Sequence, residues 1–268
     1  MRQDDLALGM EEHEAAVWVD CVTAASELPG DPLRAVIDRS GRLPLTALRA
    51  VDASDLNRVV GLGVRSPARC EDLDAIWAFY AANGQRNFRI DLTPTSRPRE
   101  LATWITARGM QRRSPGPVKI WRSVDVPLDA PPEVEVRRLG TADTEAIAEL
   151  NLVAWGAWST PEMRAWFGAP VGRPGAQHYG VFDADRLVAT GALFAGHGLG
   201  WLGFDATHPR YQGRQLRQAI SAIRMADAAA QGCRIVHAES SVALRPRVFR
   251  DGWQLLYETQ TYTTAAGV

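Results

Sequence analysis

Residues Thr207 to Cys233 read THPRYQGRQLRQAISAIRMADAAAQGC. An extended segment ends at Thr207-His208-Pro209, and a tight turn follows at Gln212-Gly213-Arg214. A helix then runs from about Arg214 to Ala230, with Leu216, Ala219, Ile220, Ile223 and Ala230 along one stripe. Gly232 ends it. Strand, turn and helix in this order build a cradle for phosphate, because the first amides of a helix have no internal partner and face a bound anion. The turn holds a single glycine, and Gln215 and Arg217 stand where small residues would let a diphosphate rest on the backbone.

On the N-terminal side, HYGVFDADRLVATGALFAGHGLGWLGFDATHP (178–209) reads as three antiparallel strands, turning at Asp183-Ala184-Asp185 and at GHGLG. Before it, TPEMRAWFG (160–168) is a helix with Thr160 as cap and Pro161 in its first turn. GTADTEAIAELNLVAWG (140–156) is another, capped by Thr141 or Asp143 and apolar at Ile147, Leu150 and Val153 or Ala154. Val134 and Val136 alternate with charged residues as in a strand. On the C-terminal side, RIVHAES (234–240) is a strand. A short helix, a turn at Gly252 and a last strand complete the chain. The segment RSVDVPLDAPPEVEVRRL (122–139), with Pro127, Pro131 and Pro132, is an extended linker.

The second half thus has the order β-α-α-β-β-β-α-β-α-β, and it resembles the GNAT (general N-acetyltransferase) superfamily. The family's acyl-CoA motif, Gln/Arg-x-x-Gly-x-Gly/Ala, falls on Gln212-Gly213-Arg214-Gln215-Leu216-Arg217. Thr207-His208-Pro209 matches the strand end before it, Gly232-Cys233 the helix end after it, and Arg250-Asp251-Gly252-Trp253 the turn near the family's C-terminus. The resemblance spans about residues 133 to 264. It implies an α+β fold, a mixed, mostly antiparallel sheet flanked by helices, and transfer of an acetyl or other acyl group from acyl-CoA to a small-molecule amine.

The first half reads as a faded copy. NRVVGLGV (57–64) is a strand. CEDLDAIWAFYAANG (70–84) is a helix with Leu73, Ile76, Trp77 and Tyr80 or Phe79 inward. NFRIDLTP (87–94) is a strand, PRELATWITARGMQ (98–111) a helix ending at Gly109, and PVKIWRS (117–123) a strand. This order echoes the second half from its phosphate turn onward, but the equivalent turn, Arg65 to Arg69, has no glycine. The expectation is two GNAT-like halves, residues 1–125 and 133–268, of which only the second holds CoA. The alternative is an unrelated α+β domain at the N-terminus.

Composition narrows the field. The chain has 268 residues, 46% of them hydrophobic, with a formal net charge of −1. A large core is feasible, and no overall field recruits nucleic acid or an anionic membrane. No apolar run has the length of a membrane span, and the polar, acidic stretch Met1 to Glu14 is unlike a signal peptide. Cys21, Cys70 and Cys233 are widely separated, which points to free thiols in a reducing cytoplasm and to no metal site.

The resemblance also implies residue roles. The backbone N–H of the strand before the phosphate turn polarises the thioester carbonyl, a role that falls on Asp205, Ala206 and Thr207. Two arginines at the helix start, Arg214 and Arg217, either pair with phosphate oxygens or, with Gln215, obstruct them. The family's general-acid tyrosine is replaced by Val248. Asp205 and Glu239 either converge to bind and deprotonate the amine or are solvent-exposed strand-end acids. Trp155 and Trp158 either wall an acceptor pocket or fill the core. Tyr257 is a substrate-side candidate or a half-buried strand aromatic. His197 reads as an exposed turn residue and His208 as structural. The alternative function is a GNAT-fold protein that has lost CoA-dependent transfer and binds a small ligand or runs other chemistry.

Overall fold

The computed structural model describes residues 3–129, 131, 133–156, 160–241 and 251–264. The elements are α1 (Gln3–Ser26), β1 (Ala35–Asp38), β2 (Leu45–Leu48), β3 (Arg58–Val59), α2 (Cys70–Ala82), β4 (Arg89–Leu92), α3 (Leu101–Ala107), β5 (Met110–Arg113) and β6 (Val118–Ser123). They continue with β7 (Arg137–Leu139), α4 (Thr144–Trp155), α5 (Pro161–Gly168), β8 (Ala176–Asp183), β9 (Arg186–Gly196) and β10 (Leu199–Thr207). The last are α6 (Leu216–Ala230), β11 (Ile235–Ser240), β12 (Gln254–Glu258) and β13 (Gln260–Thr264). The fold is α+β, with mixed and antiparallel sheets.

The chain divides into two compact units. One comprises Met1–Ile120, Glu239–Arg245 and Leu255–Val268, the other Trp121–Ala238 and Pro246–Gln254. The expected split at residues 125 and 133 therefore lies a few residues late, and the last strand goes to the first unit. There β13 lies between β4 and β5, antiparallel to both, with Tyr262 opposite Ile90 and Arg112. Local patterns carry no information about such a pairing.

In the first unit, β3 and β4 run parallel for two pairs, Arg58 with Arg89 and Val59 with Ile90. The expected strand over 57–64 is thus cut to two residues; Gly61 and Gly63 both take positive φ and turn the chain. Gly63 also lies against the Arg97 backbone, where a Cβ would not fit. The core gathers Leu73, Ile76, Phe79 and Tyr80 of α2 with Leu101 and Ile105 of α3 and Tyr262 of β13. Tyr80 stacks on Phe88 at 4.1 Å and donates to the Thr46 carbonyl at 3.1 Å.

Helix α1 is a departure. Its stretch reads as a polar N-terminus, yet Glu11, His13 and Glu14 are buried along with Met10, Val17 and Val22. Its buried face is partly ionic. Lys119 of β6 donates to Glu14 and, at 3.1 Å, to Glu239; Arg58 reaches Glu14 at 2.5 Å; Arg89 pairs with Asp91 at 3.0 Å and Glu239 at 3.4 Å. Tyr257 donates to Glu11, and Arg58 lies over the Trp18 ring at 4.2 Å. Burial opposes ionisation of Glu14 and Glu239, but Lys119 and the arginines overcome it and hold both below the usual carboxylate range. Glu11 is the carboxyl left over. Its burial outweighs the Lys119 charge and pushes it up to about 7.

In the second unit, β7, β8, β9, β10 and β11 lie in that order, with the Trp121–Ser123 end of β6 beyond β11. The three long strands form where the alternation places them, turning at Ala184 (φ 50°) and at His197-Gly198 (φ 54° and 74°). Val134 and Val136 precede the first strand and do not form it; β7 starts at Arg137. Ile147 and Leu150 of α4 pack on Leu187 and Ala206. Thr160 caps α5 by accepting from the Met163 amide at 3.3 Å. Gly232 (φ 79°) closes α6, with the Cys233 amide on the Ala228 carbonyl.

Glu11 sets a testable pH dependence. A carboxyl whose pKa is higher folded than unfolded favours folding fully below its unfolded value, and that contribution is lost as pH rises through the folded one. Between the ordinary 4.5 and about 7, stability should fall by up to about 3 kcal/mol. Glu14 and Glu239 act oppositely, below that window. Urea unfolding at pH 5 and pH 8 should show the fall in the parent and a much flatter profile in Glu11→Gln; equal slopes would exclude Glu11 as its source.

Candidate functional site

The second unit opens where β10 leaves β11. The two run parallel from Leu199–Ile235 to Trp201–His237, and there the pairing stops while β10 continues to Thr207. On its other side β10 stays with β9 but carries one extra residue. Gly203 faces Ala192 and Ala206 faces Thr190, a bulge with Phe204 at φ 54°. Bulges re-aim side chains beside functional sites. Here Ala206 enters the core against α4, while Asp205 points to the α6 face.

Arg224 of α6 holds it there. This guanidinium is 1% exposed. It donates to Asp205 Oδ1 at 2.7 Å, to the Ala192 carbonyl at 3.0 Å and to Ser221 Oγ at 3.1 Å. The space comes from Gly191, where a Cβ would stand 2.5 Å from Asp205 and 2.8 Å from Arg224. The apolar stripe expected on α6 is accordingly displaced: Ile223 and Ala230 are exposed, and Ser221, Arg224, Met225 and Ala228 are buried. A buried cation paired to a strand carboxylate does not register as an inward position in a hydrophobicity pattern.

Past β10, the His208 amide bonds the Val188 carbonyl and the His208 ring accepts from the Arg210 amide at 3.2 Å, a structural role. Tyr211 donates to Asp183, and Arg214 lies over the Tyr211 ring at 4.8 Å. Gly213 has φ 81°, with nothing near its missing Cβ. Gln215, at the family's first glycine position, keeps the glycine-like backbone at φ 57°. The helix begins at Leu216, two residues later than expected, and no side chain caps it. Gln218 and Ala219 donate to the Gln215 carbonyl at 2.9 and 3.1 Å. These residues fit a diphosphate through the backbone. The side chains fit it less well, because Arg217 is already ion-paired with Asp251 at 3.1 Å.

The acids expected to handle an amine are both engaged. Asp205 belongs to Arg224. Glu239 lies among Lys119, Arg58 and Arg89 in the first unit, which make it a weak base. Tyr257 is buried there on Glu11, and burial pushes its phenol up. Trp155, at the end of α4, is 59% exposed and fills no core; Trp158 and Val248 lie outside the described residues. His178, which nothing in its alternating strand marks out, is a buried histidine on β8.

The first unit ends its parallel pair differently. The amide before α2 bonds the Asp72 carboxylate at 2.8 Å, and Arg42 reaches Asp72 at 3.0 Å and Ser66 at 2.6 Å. An internal carboxylate stands at this helix start. Among the described residues, no group of His, Cys, Asp or Glu could hold a metal ion, and no helix is long and apolar enough to cross a membrane.

The fold recurs in solved structures. A GCN5-related N-acetyltransferase from Kribbella flavida matches with a TM-score of 0.65 at 18% identity, over 92% of this chain and 96% of its own. A tandem GNAT protein from the clavulanic acid biosynthesis pathway matches at 0.60 and 16%, over 95% of each chain. A putative GNAT-family acetyltransferase from Novosphingobium aromaticivorans matches at 0.50 and 20%, over 90% and 94%. No protein-family model matches the sequence, and no curated protein matches it. The chain has the fold of the GNAT acetyltransferases, and the similarity runs along nearly its full length.

The turn can be tested without ligand. Gly213→Ala should destabilise by about 1 kcal/mol, the cost of a Cβ in left-handed backbone. Gln215→Gly should leave stability unchanged or raised. Denaturant titration of both checks this; a marked loss in Gln215→Gly would mean that the glutamine side chain holds the turn.

Proposed function

We propose that the second unit is an N-acyltransferase, moving an acetyl or other acyl group from acyl-CoA to a small-molecule amine. One observation carries this: β10 parts from β11 after Trp201, bulges at Phe204-Asp205, and runs into a turn whose backbone keeps positive φ at Gly213 and Gln215 before an uncapped helix. Likeness to solved N-acetyltransferases is likeness of fold, and the activity is our reading of it.

In this reading the first amides of α6, with Gln212 to Leu216, hold the diphosphate, and Arg214 adds charge. Bound acyl-CoA supplies an activated acyl carbon, whose C–S bond breaks as the C–N bond forms, the thiol taking up the proton that the amine gives up. The open edge of β10 beside Ala206 offers the N–H groups of Asp205 and Thr207 to the acyl oxygen. Asp205 acts through its pairing with Arg224, as a positioning residue that fixes those N–H groups. Neither Asp205 nor Glu239 is free to be the base, so the proton of the ammonium leaves through water. Trp155 borders the acceptor side. The protein works in the cytoplasm on a soluble substrate, with neither nucleic acid nor membrane as partner.

A second reading has its own observation. The Arg217–Asp251 pair occupies an arginine that a phosphate would otherwise engage, as in a GNAT-fold protein that has given up CoA and binds another small ligand. Thermal shift separates the two. Acetyl-CoA at about 100 times its dissociation constant should stabilise the fold by roughly 2.7 kcal/mol. No shift at millimolar acetyl-CoA, in the parent and in Gln215→Gly, Arg217→Gly alike, would favour the second reading. Glu239→Gln should leave turnover per folded molecule within a few-fold. A fall of about 100- to 10,000-fold, typical of removing a general base, would return Glu239 to the chemistry.

A further inference from the structure

His178 is 2% exposed, and among the described residues neither of its ring nitrogens has a hydrogen-bond partner. Buried polar groups in folded proteins are nearly always satisfied, so an orphaned one asks for an explanation. Register shows what surrounds it. His178 faces Ala192, which faces Gly203, so the three share a row and a face across β8, β9 and β10. Phe194 and Trp201 form the adjacent pair on that face. The Trp201 ring lies over Gly203, where no side chain would fit, and among the described residues its Nε1 is also without a partner. The bulge brings Phe204 to the same face, with its ring 6.4 Å from His178, 5.9 Å from Phe194 and 6.2 Å from Trp166 of α5. His178 therefore lies against the Phe194 and Phe204 rings, each 6.4 Å away, with Trp166 and Trp201 packed behind them. Burial and the Arg224 charge keep its imidazole neutral, pushed down to about 4.

Phe204 is the ring nearest the surface. It is partly exposed, whereas Trp166, Phe194 and Trp201 are buried. It holds φ 54°, a conformation that bulky residues adopt only under constraint. Its neighbour Asp205, locked to Arg224 on the opposite face, supplies that constraint.

We propose that His178 anchors a binding site for amines with a planar, ring-hydroxylated aromatic body, entered where Phe204 swings off the bulge. The aromatic walls receive the ring, and a neutral imidazole nitrogen accepts the ring hydroxyl. The row from His178 to Gly203 spans two strand spacings, about 10 Å, which an aromatic ring with a two-carbon arm covers. The amine is then left at the open edge of β10. Its role as acyl acceptor there rests on the function proposed above; the binding itself does not.

The test is NMR of the protein with isotope-labelled histidine, titrated without any acyl-CoA with tyramine and with 2-phenylethylamine, which lacks the hydroxyl. Tyramine should shift the His178 ring signals and bind about tenfold more tightly, the worth of one buried hydrogen bond. His178→Phe should abolish that preference, and Phe204→Ala should strengthen binding of both amines. Should His178→Phe not fold, the His178 signals in the parent and in Phe204→Ala decide alone. Unmoved His178 signals at millimolar tyramine in both proteins would overturn the proposal, as would an undiminished preference in His178→Phe. Tyramine binding without acetyl-CoA binding would sink acyl transfer and leave this site standing. Acetyl-CoA binding with silent His178 signals would do the reverse.

Discussion

A buried guanidinium on α6 determines the form of the open strand edge. Arg224 touches the Asp205 carboxylate, the Ala192 carbonyl and Ser221, so it ties the bulged strand, its neighbour and the helix into one body. Removing Asp205 would leave the Arg224 charge buried and unpaired, which costs far more than the pair contributes. The consequence is local rigidity on one face, where Asp205 is fixed, and strain on the other, where Phe204 is held at positive φ. The turn that follows continues this pattern. Gly213 and Gln215 keep a left-handed backbone, although only one of them is a glycine.

The first unit treats its own parallel pair differently. Its parallel pair also parts early, after Val59 and Ile90, but its helix start is satisfied from within by Asp72, which Arg42 neutralises. It has spent its polar interactions on α1 instead, where Lys119, Arg58 and Arg89 meet Glu14, Glu239 and Asp91. Such a cluster gives little net stability and much specificity of placement when every member is matched. Glu11, held by Tyr257 and at 4.0 Å by Lys119, is the least compensated member, and burial pushes it up to about 7.

Much of the second unit was legible in the sequence because its local signals agree with its tertiary ones. Alternation located β8, β9 and β10, and Thr160-Pro161 and Gly232 marked helix ends that the structure keeps. The failures share a physical cause, which is polar residues turned inward. Helix α1 was invisible because Glu11, His13 and Glu14 interrupt its apolar face. The stripe on α6 was misplaced because Arg224 lies on its buried side. His178 passed as one more strand residue. The placement of β13 between β4 and β5 depends on pairings some 170 residues apart, as in Thr261 with Asp91, which no local pattern records. The turn at Gln212 to Arg217 was legible, but the engagement of its side chains was not, since the Arg217–Asp251 pair is a tertiary fact.

The central claim is that the altered turn of the second unit, and not the capped one of the first, receives acyl-CoA. Hydrogen–deuterium exchange with and without acetyl-CoA addresses it residue by residue. The account predicts slowed exchange across Gln212 to Gln218 and along Asp205 to Thr207, with Arg65 to Asp72 unchanged. Protection at Arg65 to Asp72, or none at either turn with acetyl-CoA at millimolar concentration, would contradict it.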